Sequence, residues 1–329
     1  MVNIIFTCGD INGIGPEVSL KSIRQVFNSE KYSIIFICPE NIFEHYRSLL
    51  DFRIPINYCN IDNPVFLSGH LNLIGLGNAQ FNPGMPTDIS GKISLAAIEL
   101  ASKLALSKKT DGIVTAPISK ISLEMAGINF PGHTEILADI CNTNDYGMMF
   151  LSDNMKAALT TIHIPLKDIP ANITENKLFK IINLVVNTLK TDIAMKKPKI
   201  AVLSLNPHGG ENGRLGKEEE EIIAPVIKIF PSEIVEGPFV PDAFFGKGLH
   251  LKYDAVVGMY HDQVLIPFKM LNFDKGVNFT AGLPIVRTSP DHGTAFDISG
   301  KLQANPSSTI EAFKWNVIIA QNRKIKNAG

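Results

Sequence analysis

The sequence predicts an α/β fold with a largely parallel sheet and helices on both faces. Strand-like and helix-like segments alternate along the chain, as parallel strands joined by crossover helices require. Several apolar or β-branched runs stop abruptly at His, Pro, Gly or Asp, which reads as a buried strand entering a loop. At 329 residues there is ample core for two domains or one large one.

In chain order, VNIIFTC reads as a strand, followed by a Gly-rich turn and a helix from Pro16 through about Phe27. SIIFIC is the next strand, with a helix around Glu40–Leu50. The stretch Asn60–Asp88 is rich in Gly, Pro and Asn and is the least regular, a long connection or an antiparallel excursion. ISLAAIELASKLALSKK is a long amphipathic helix, and GIVTAPIS a strand, turn and helix start. Past His163 a helix covers about Glu175–Leu189, KIAVLSL and DAVVGMY are strands, and a closing helix lies near Ile310–Gln321. The EEEE run at 218–221 is read as the acidic first turn of an exposed helix. No linker-like composition marks a boundary, so the expected arrangement is a middle domain inserted between the two ends of another.

Thirty-one basic residues face 32 acidic ones, which argues against a nucleic-acid or membrane-surface partner. MVNIIFTCGD has no basic flank and is read as a first strand and not a signal peptide. No segment approaches the length of a membrane span. Cys8, Cys38, Cys59 and Cys141 lie far apart without CxxC spacing, as reduced thiols of a cytoplasmic protein would.

Three histidines close segments that follow apolar runs: His163 in ALTTIHIP, His208 in AVLSLNPHGGENG and His261 in DAVVGMYHDQ. Ligands of parallel α/β sheets bind beyond the carboxyl ends of the strands. Three strands would then deliver one imidazole each to the same rim, the donor set of a catalytic divalent metal with an open position. Any one of them alone would be a loop histidine bonded to backbone.

In GDINGIGPEV, Gly13 and Gly15 permit a tight turn that serves either structure or a phosphate-binding loop, but it is not GxGxxG. FPGHTEILA sets His133 and Thr134 at a helix start, where Thr134 would cap the helix and His133 would meet an anion. MYHDQVLIPFK gathers His261, Asp262, Gln263 and Lys269. Asp262 would orient His261 or serve the turn, and Lys269 suits a phosphate or carboxylate. In GLPIVRTSPDHGTAFDISGK, Arg287 follows an apolar strand and could clamp a carboxylate or phosphate, and His292-Gly293-Thr294 forms a backbone-rich turn suited to a nucleotide.

GDINGIGPE, TAPISK, FPGHTE, LNPHGGENGRLG, GPFVPDAFF, MYHDQVLIPFK and GLPIVRTSPDHGTAFDISGK span almost the whole chain in order. Together they resemble the 4-hydroxythreonine-4-phosphate dehydrogenase family of pyridoxal phosphate biosynthesis. GIGPEV, and HGTAFDISGK followed by ANP, also resemble the isocitrate and isopropylmalate dehydrogenase superfamily. Ile11-Asn12, Val264 and VPDAFF depart from the family pattern.

The resemblance implies two α/β/α domains with mostly parallel sheets and an active site in the cleft between them. Residues 1–130 plus 275–329 would form the cofactor side, and 131–274 the metal-binding and dimerisation side. It implies one divalent metal (zinc, magnesium or cobalt) on His163, His208 and His261, in active sites shared across a homodimer. His133, Thr134, Lys269, Asn278 and Arg287 would contact a small phosphorylated hydroxy amino acid. NAD or NADP would lie on Gly13, Gly15, His292, Gly293, Thr294 and Asn305, and Asp242 or Asp262 would accept the proton. The implied reaction is oxidative decarboxylation of 4-phosphohydroxy-L-threonine. The alternatives are a dehydrogenase of 4-phosphothreonate or 4-phosphoerythronate, a phosphate acyltransferase, or a metal-dependent hydrolase.

Overall fold

Strands flanked by helices on both sides lose the alternating pattern, because neither face meets water. β1 (Val2–Thr7) and β2 (Tyr32–Cys38) follow that rule and are almost wholly buried. The computed structural model describes residues 1–28 and 30–328, which divide into two compact units. One comprises Met1–Asn144 with Leu283–Gln321, the other Asp145–Gly282 with Asn322–Gly329.

In the first unit α1 (Gly15–Val26) follows β1, and α2 (Glu40–Leu49) follows β2. β3 (Ile56–Cys59) and β4 (Leu71–Gly75) come next, then α3 (Asp88–Leu106), β5 (Gly112–Thr115), α4 (Lys120–Met125) and α5 (His133–Ile140). α3 starts in a capping box: Thr87 accepts from the Ser90 backbone while Ser90 accepts from the Thr87 backbone. The irregular stretch after Asn60 contains β4, which runs parallel to both β2 and β3. It is therefore no antiparallel excursion. Its short strand was hidden among turn residues.

The second unit holds β6 (Gly147–Leu151), β7 (Lys156–Leu159), α6 (Ile169–Asn172), α7 (Glu175–Thr191) and β8 (Ile200–Leu203). It continues through α8 (Ala224–Ile227), β9 (Val235–Phe239), α9 (Pro241–Gly246), β10 (Ala255–Gly258), α10 (His261–Asn272) and β11 (Val277–Ala281). The chain then returns to the first unit with β12 (Arg287–Pro290) and begins the long α11 (Ser307–Ala328).

Within the first unit the strand order is β3-β4-β2-β1-β5-β12, all parallel. Within the second it is β11-β6-β7-β10-β8-β9, where β11–β6 and β6–β7 are antiparallel and the rest parallel. The inserted segment is displaced from the 131–274 expected. α5 packs on α3, which places His133 and Thr134 in the first unit. β11 pairs with β6, which places Asn278 in the second. At the return, Gly282 adopts φ +87°, and a Cβ there would stand 2.2 Å from the Asp145 carbonyl, so only glycine fits.

Two sequence expectations, on Thr134 and on the EEEE run, change locally. Gly132, not Thr134, caps α5, without a side-chain bond. Asn305 opens α11, its Oδ1 accepting from the Ser307 backbone N–H at 3.0 Å and from the Ser307 hydroxyl at 2.7 Å. The EEEE run enters a π-helical turn, Glu219–Ile223, and Glu219 is buried at 4% exposure. A carboxylate is tolerated there because backbone donors surround it.

Candidate functional site

β7, β10 and β8 are parallel neighbours in that order, and each leads into one of the three histidines. His163 lies just beyond β7, His261 opens α10 just beyond β10, and His208 lies in the loop after β8. Strand-end delivery to a common edge is thus a property of this sheet. The rings of His163 and His261 stand 5.8 Å apart between centroids. Both line a pocket of about 370 Å³ with Thr161, Tyr260 and Asp262. The Asp262 carboxylate lies 2.7 Å from His261 Nδ1, which directs Nε2 elsewhere. Among the described residues no three His, Cys, Asp or Glu side chains are gathered tightly enough to hold a metal. The structure brings His163 and His261 together and leaves His208 on its own loop.

That loop is strained. Every residue from His208 to Gly213 has positive φ, and the non-glycine members are His208 at 53°, Glu211 at 47° and Asn212 at 55°. His163 is also left-handed, at 25°. Each such residue costs on the order of 1–3 kcal/mol and persists only where its surroundings enforce it. Glu219 supplies part of that enforcement. Its Oε1 accepts from the backbone N–H groups of Leu205 and Asn206, both at 2.7 Å, and its Oε2 from Asn206 Nδ2 at 2.9 Å. Sequence reading missed Glu219, because one buried carboxylate inside a run of four carries no periodic signal.

Lys269 lies half-buried on α10, and Asn278 half-buried on β11 opposite Phe150. Asp242 is exposed in the first turn of α9, where the helix dipole favours a carboxylate whatever its chemistry.

The first unit carries a separate polar group. Arg287 is 2% exposed and donates from Nε to the Thr115 hydroxyl at 2.9 Å. Burial pushes its guanidinium down to about 9, opposed by the nearby Glu135 carboxylate, so it stays charged at neutral pH. His133 Nε2 is buried and has no hydrogen-bond partner among the described residues. Burial first, and the Arg287 charge second, hold His133 well below the usual histidine range. A neutral imidazole with an unsatisfied nitrogen beside a buried guanidinium is suited to an anionic, hydrogen-bonding ligand.

In the same unit the two loops expected to carry the cofactor interlock. The Ile14 N–H donates to the Thr294 carbonyl at 2.9 Å, and the Ser299 hydroxyl donates to the Asn12 carbonyl at 2.7 Å. Asp10 anchors the first loop by accepting from Ser90 at 3.0 Å, Ser122 at 2.5 Å and the Asn12 N–H at 2.9 Å. Burial nevertheless raises its carboxyl above the ordinary aspartate range. A Cβ at Gly13 would stand 2.8 Å from the Thr294 carbonyl, and one at Gly15 2.2 Å from the Cys8 carbonyl. Those glycines are therefore required by chain packing. A Cβ at Gly293 would meet nothing within 4 Å. His292 Nδ1 lies 3.1 Å from the Gly293 carbonyl.

The model of the pyridoxal phosphate biosynthetic protein PdxA family matches residues 30–316. The chain belongs to the PdxA family. The 4-hydroxythreonine-4-phosphate dehydrogenase of Sulfurihydrogenibium sp. (strain YO3AOP1) is 39% identical over 98% of this chain and 100% of its own length. The protein of that name from Desulforapulum autotrophicum is 41% identical over 95% of this chain and 94% of its own. The crystal structure of the Klebsiella pneumoniae enzyme has a TM-score of 0.85 at 34% identity, covering 98% of this chain and 100% of that one. An isocitrate dehydrogenase from Methylococcus capsulatus has a TM-score of 0.50 at 13% identity, covering 100% of this chain and 89% of that one, and shares the fold. PdxA membership fixes dehydrogenase chemistry in pyridoxal phosphate biosynthesis and sets aside the acyltransferase and hydrolase readings. No helix among the described residues is long and apolar enough to cross a membrane.

Proposed function

We propose that the chain oxidises and decarboxylates 4-phosphohydroxy-L-threonine to 3-amino-2-oxopropyl phosphate, using NAD or NADP and one divalent metal ion per active site. The observation that carries the metal reading is the order β7-β10-β8, three parallel neighbours each leading into a histidine. The donor set fits such an ion: His163 and His261 share a pocket, His261 has its Nδ1 held by Asp262, and His208 follows the adjacent strand. When bound, the ion supplies a Lewis acid that lowers the pKa of a substrate hydroxyl, and the nicotinamide nucleotide a hydride acceptor.

The chain's own residues then bind and orient. Lys269, Asn278, His133 and Thr134 hold the substrate, with Lys269 against its phosphate. Arg287, buried and charged, binds an anionic group of the substrate through the planar fork that suits carboxylate or phosphate. Asp262 fixes the ring of His261, which leaves Asp242 as the candidate proton acceptor. His292–Thr294, where Gly293 leaves the backbone accessible, would hold the nucleotide, together with Asn305.

Self-association has support on α10 and just past its end. Ile266, Met270 and Phe273 follow one another at helical spacing with exposures of 58%, 82% and 78%, an apolar face suited to a second copy in a homodimer.

Reduction of NAD and NADP is measured with 4-phosphohydroxythreonine and with 4-phosphothreonate, before and after chelation and metal add-back. Turnover of the amino acid phosphate, lost on chelation and restored by zinc, magnesium or cobalt, is expected. Preference for the threonate would overturn the substrate assignment, and full turnover after exhaustive chelation the metal assignment.

A further inference from the structure

Gln263, in the HDQ segment that opens α10, is 9% exposed and bonded at both ends of its amide. Its Oε1 accepts from the Met259 N–H at 2.7 Å. Its Nε2 donates to the Ser204 carbonyl at 2.7 Å, across 59 residues of sequence. Met259 directly follows β10, two residues before His261, and Ser204 directly follows β8 on the way to His208. Met259 also reaches the third strand end. Its carbonyl accepts from the Thr161 hydroxyl at 2.6 Å and from the Thr161 N–H at 3.1 Å, two residues before His163. One chain of bonds thus runs Thr161–Met259–Gln263–Ser204 and joins the three strand ends that carry the histidines.

We propose that Gln263 is a positioning residue that sets the His208-bearing strand end against the His261-bearing one. A glutamine in the first turn of a helix often reaches back to a preceding N–H, and the bond to Met259 has that character. The bond to Ser204 does not, because it leaves the helix and fixes a different strand. No other residue type of this length offers an acceptor and a donor together without charge. The neighbouring backbone is shaped to admit it: a Cβ on Gly258 would lie 3.1 Å from Gln263 Oε1 and 2.0 Å from Val264 Cγ2. Ladder bonds hold β8 to β10 as far as Ile200–Val202 against Ala255–Val257, and beyond that point Gln263 continues the linkage.

The inference rests on the metal reading for its chemistry, and the test separates the two. Gln263→Met removes both bonds at similar length. Gln263→Glu keeps the acceptor for Met259 and sets a carboxylate against the Ser204 carbonyl. Full-length protein is examined free of metal by imidazole ¹H–¹⁵N spectra, with thermal melting to confirm folding, and then titrated with Co²⁺ by visible absorption. In both variants the His208 and His261 signals should shift or broaden together, while that of His250, which precedes β10, stays in place. Co²⁺ affinity should fall roughly ten- to a hundredfold, the usual effect of removing support behind metal-binding imidazoles. Movement of His261 alone would reduce Gln263 to a helix cap and overturn the proposal. Unmoved spectra in whichever variant folds would overturn it as well. A wild-type chain that takes up no Co²⁺ overturns the metal reading instead, and the imidazole spectra still decide for Gln263.

Discussion

Gly293→Val tests the cofactor assignment with little disturbance to the protein. Gly293 is exposed, its φ lies outside the left-handed region, and its Cβ would have no neighbour within 4 Å. Substitution of such a surface position should move stability by no more than about 0.5 kcal/mol. Gly13 and Gly15 offer no such test, because a Cβ would stand 2.8 Å and 2.2 Å from backbone carbonyls. If a dinucleotide lies along His292–Thr294, a valine isopropyl group occupies the space its phosphates or ribose need. Loss of one charge-assisted hydrogen bond costs about 1.5–3 kcal/mol, or roughly ten- to a hundredfold in Kd. Calorimetric titration with NAD and NADP should show that weakening. Melting temperature and phosphate-analogue affinity should stay at wild-type values. An unchanged nucleotide Kd in a fully folded Gly293→Val protein would refute the placement of the cofactor on this turn.

Lys269→Ala should raise KM far more for the phosphorylated substrate than for its dephosphorylated analogue; equal losses in steady-state kinetics would reject Lys269 as the phosphate ligand. Glu219→Ala leaves the Leu205 and Asn206 donors without their buried acceptor and should cost about 3 kcal/mol in denaturant unfolding, while wild-type stability would show that the 208–213 loop is held by other means. Because His133 is kept neutral in the folded chain, the unfolded chain binds more protons below its ordinary pKa of about 6.5. Stability from this residue is therefore fully present above about 6.5 and declines as pH falls below it. His133→Gln should flatten the slope of melting temperature against pH on that acid side, and identical slopes would remove His133 as its source.

The alternating α/β order was legible because strands buried on both faces and amphipathic helices leave different periodic marks. β4 escaped notice, since a five-residue strand between turn-rich segments shows no period. The three histidines could be singled out from sequence because each follows an apolar run, and that the loops of 9–17 and 292–305 belong together came from resemblance. Sequence alone could not reveal that β7, β10 and β8 are neighbours, since strand order depends on crossovers between segments far apart in the chain. It also could not separate the glycines: Gly13 and Gly293 look alike in a loop, but one faces the Thr294 carbonyl and the other open space. Glu219 and Gln263 mark the same limit. Their roles come from backbone groups at Leu205, Asn206, Met259 and Ser204, which carry no side-chain signature and are brought within reach only by the folded sheet.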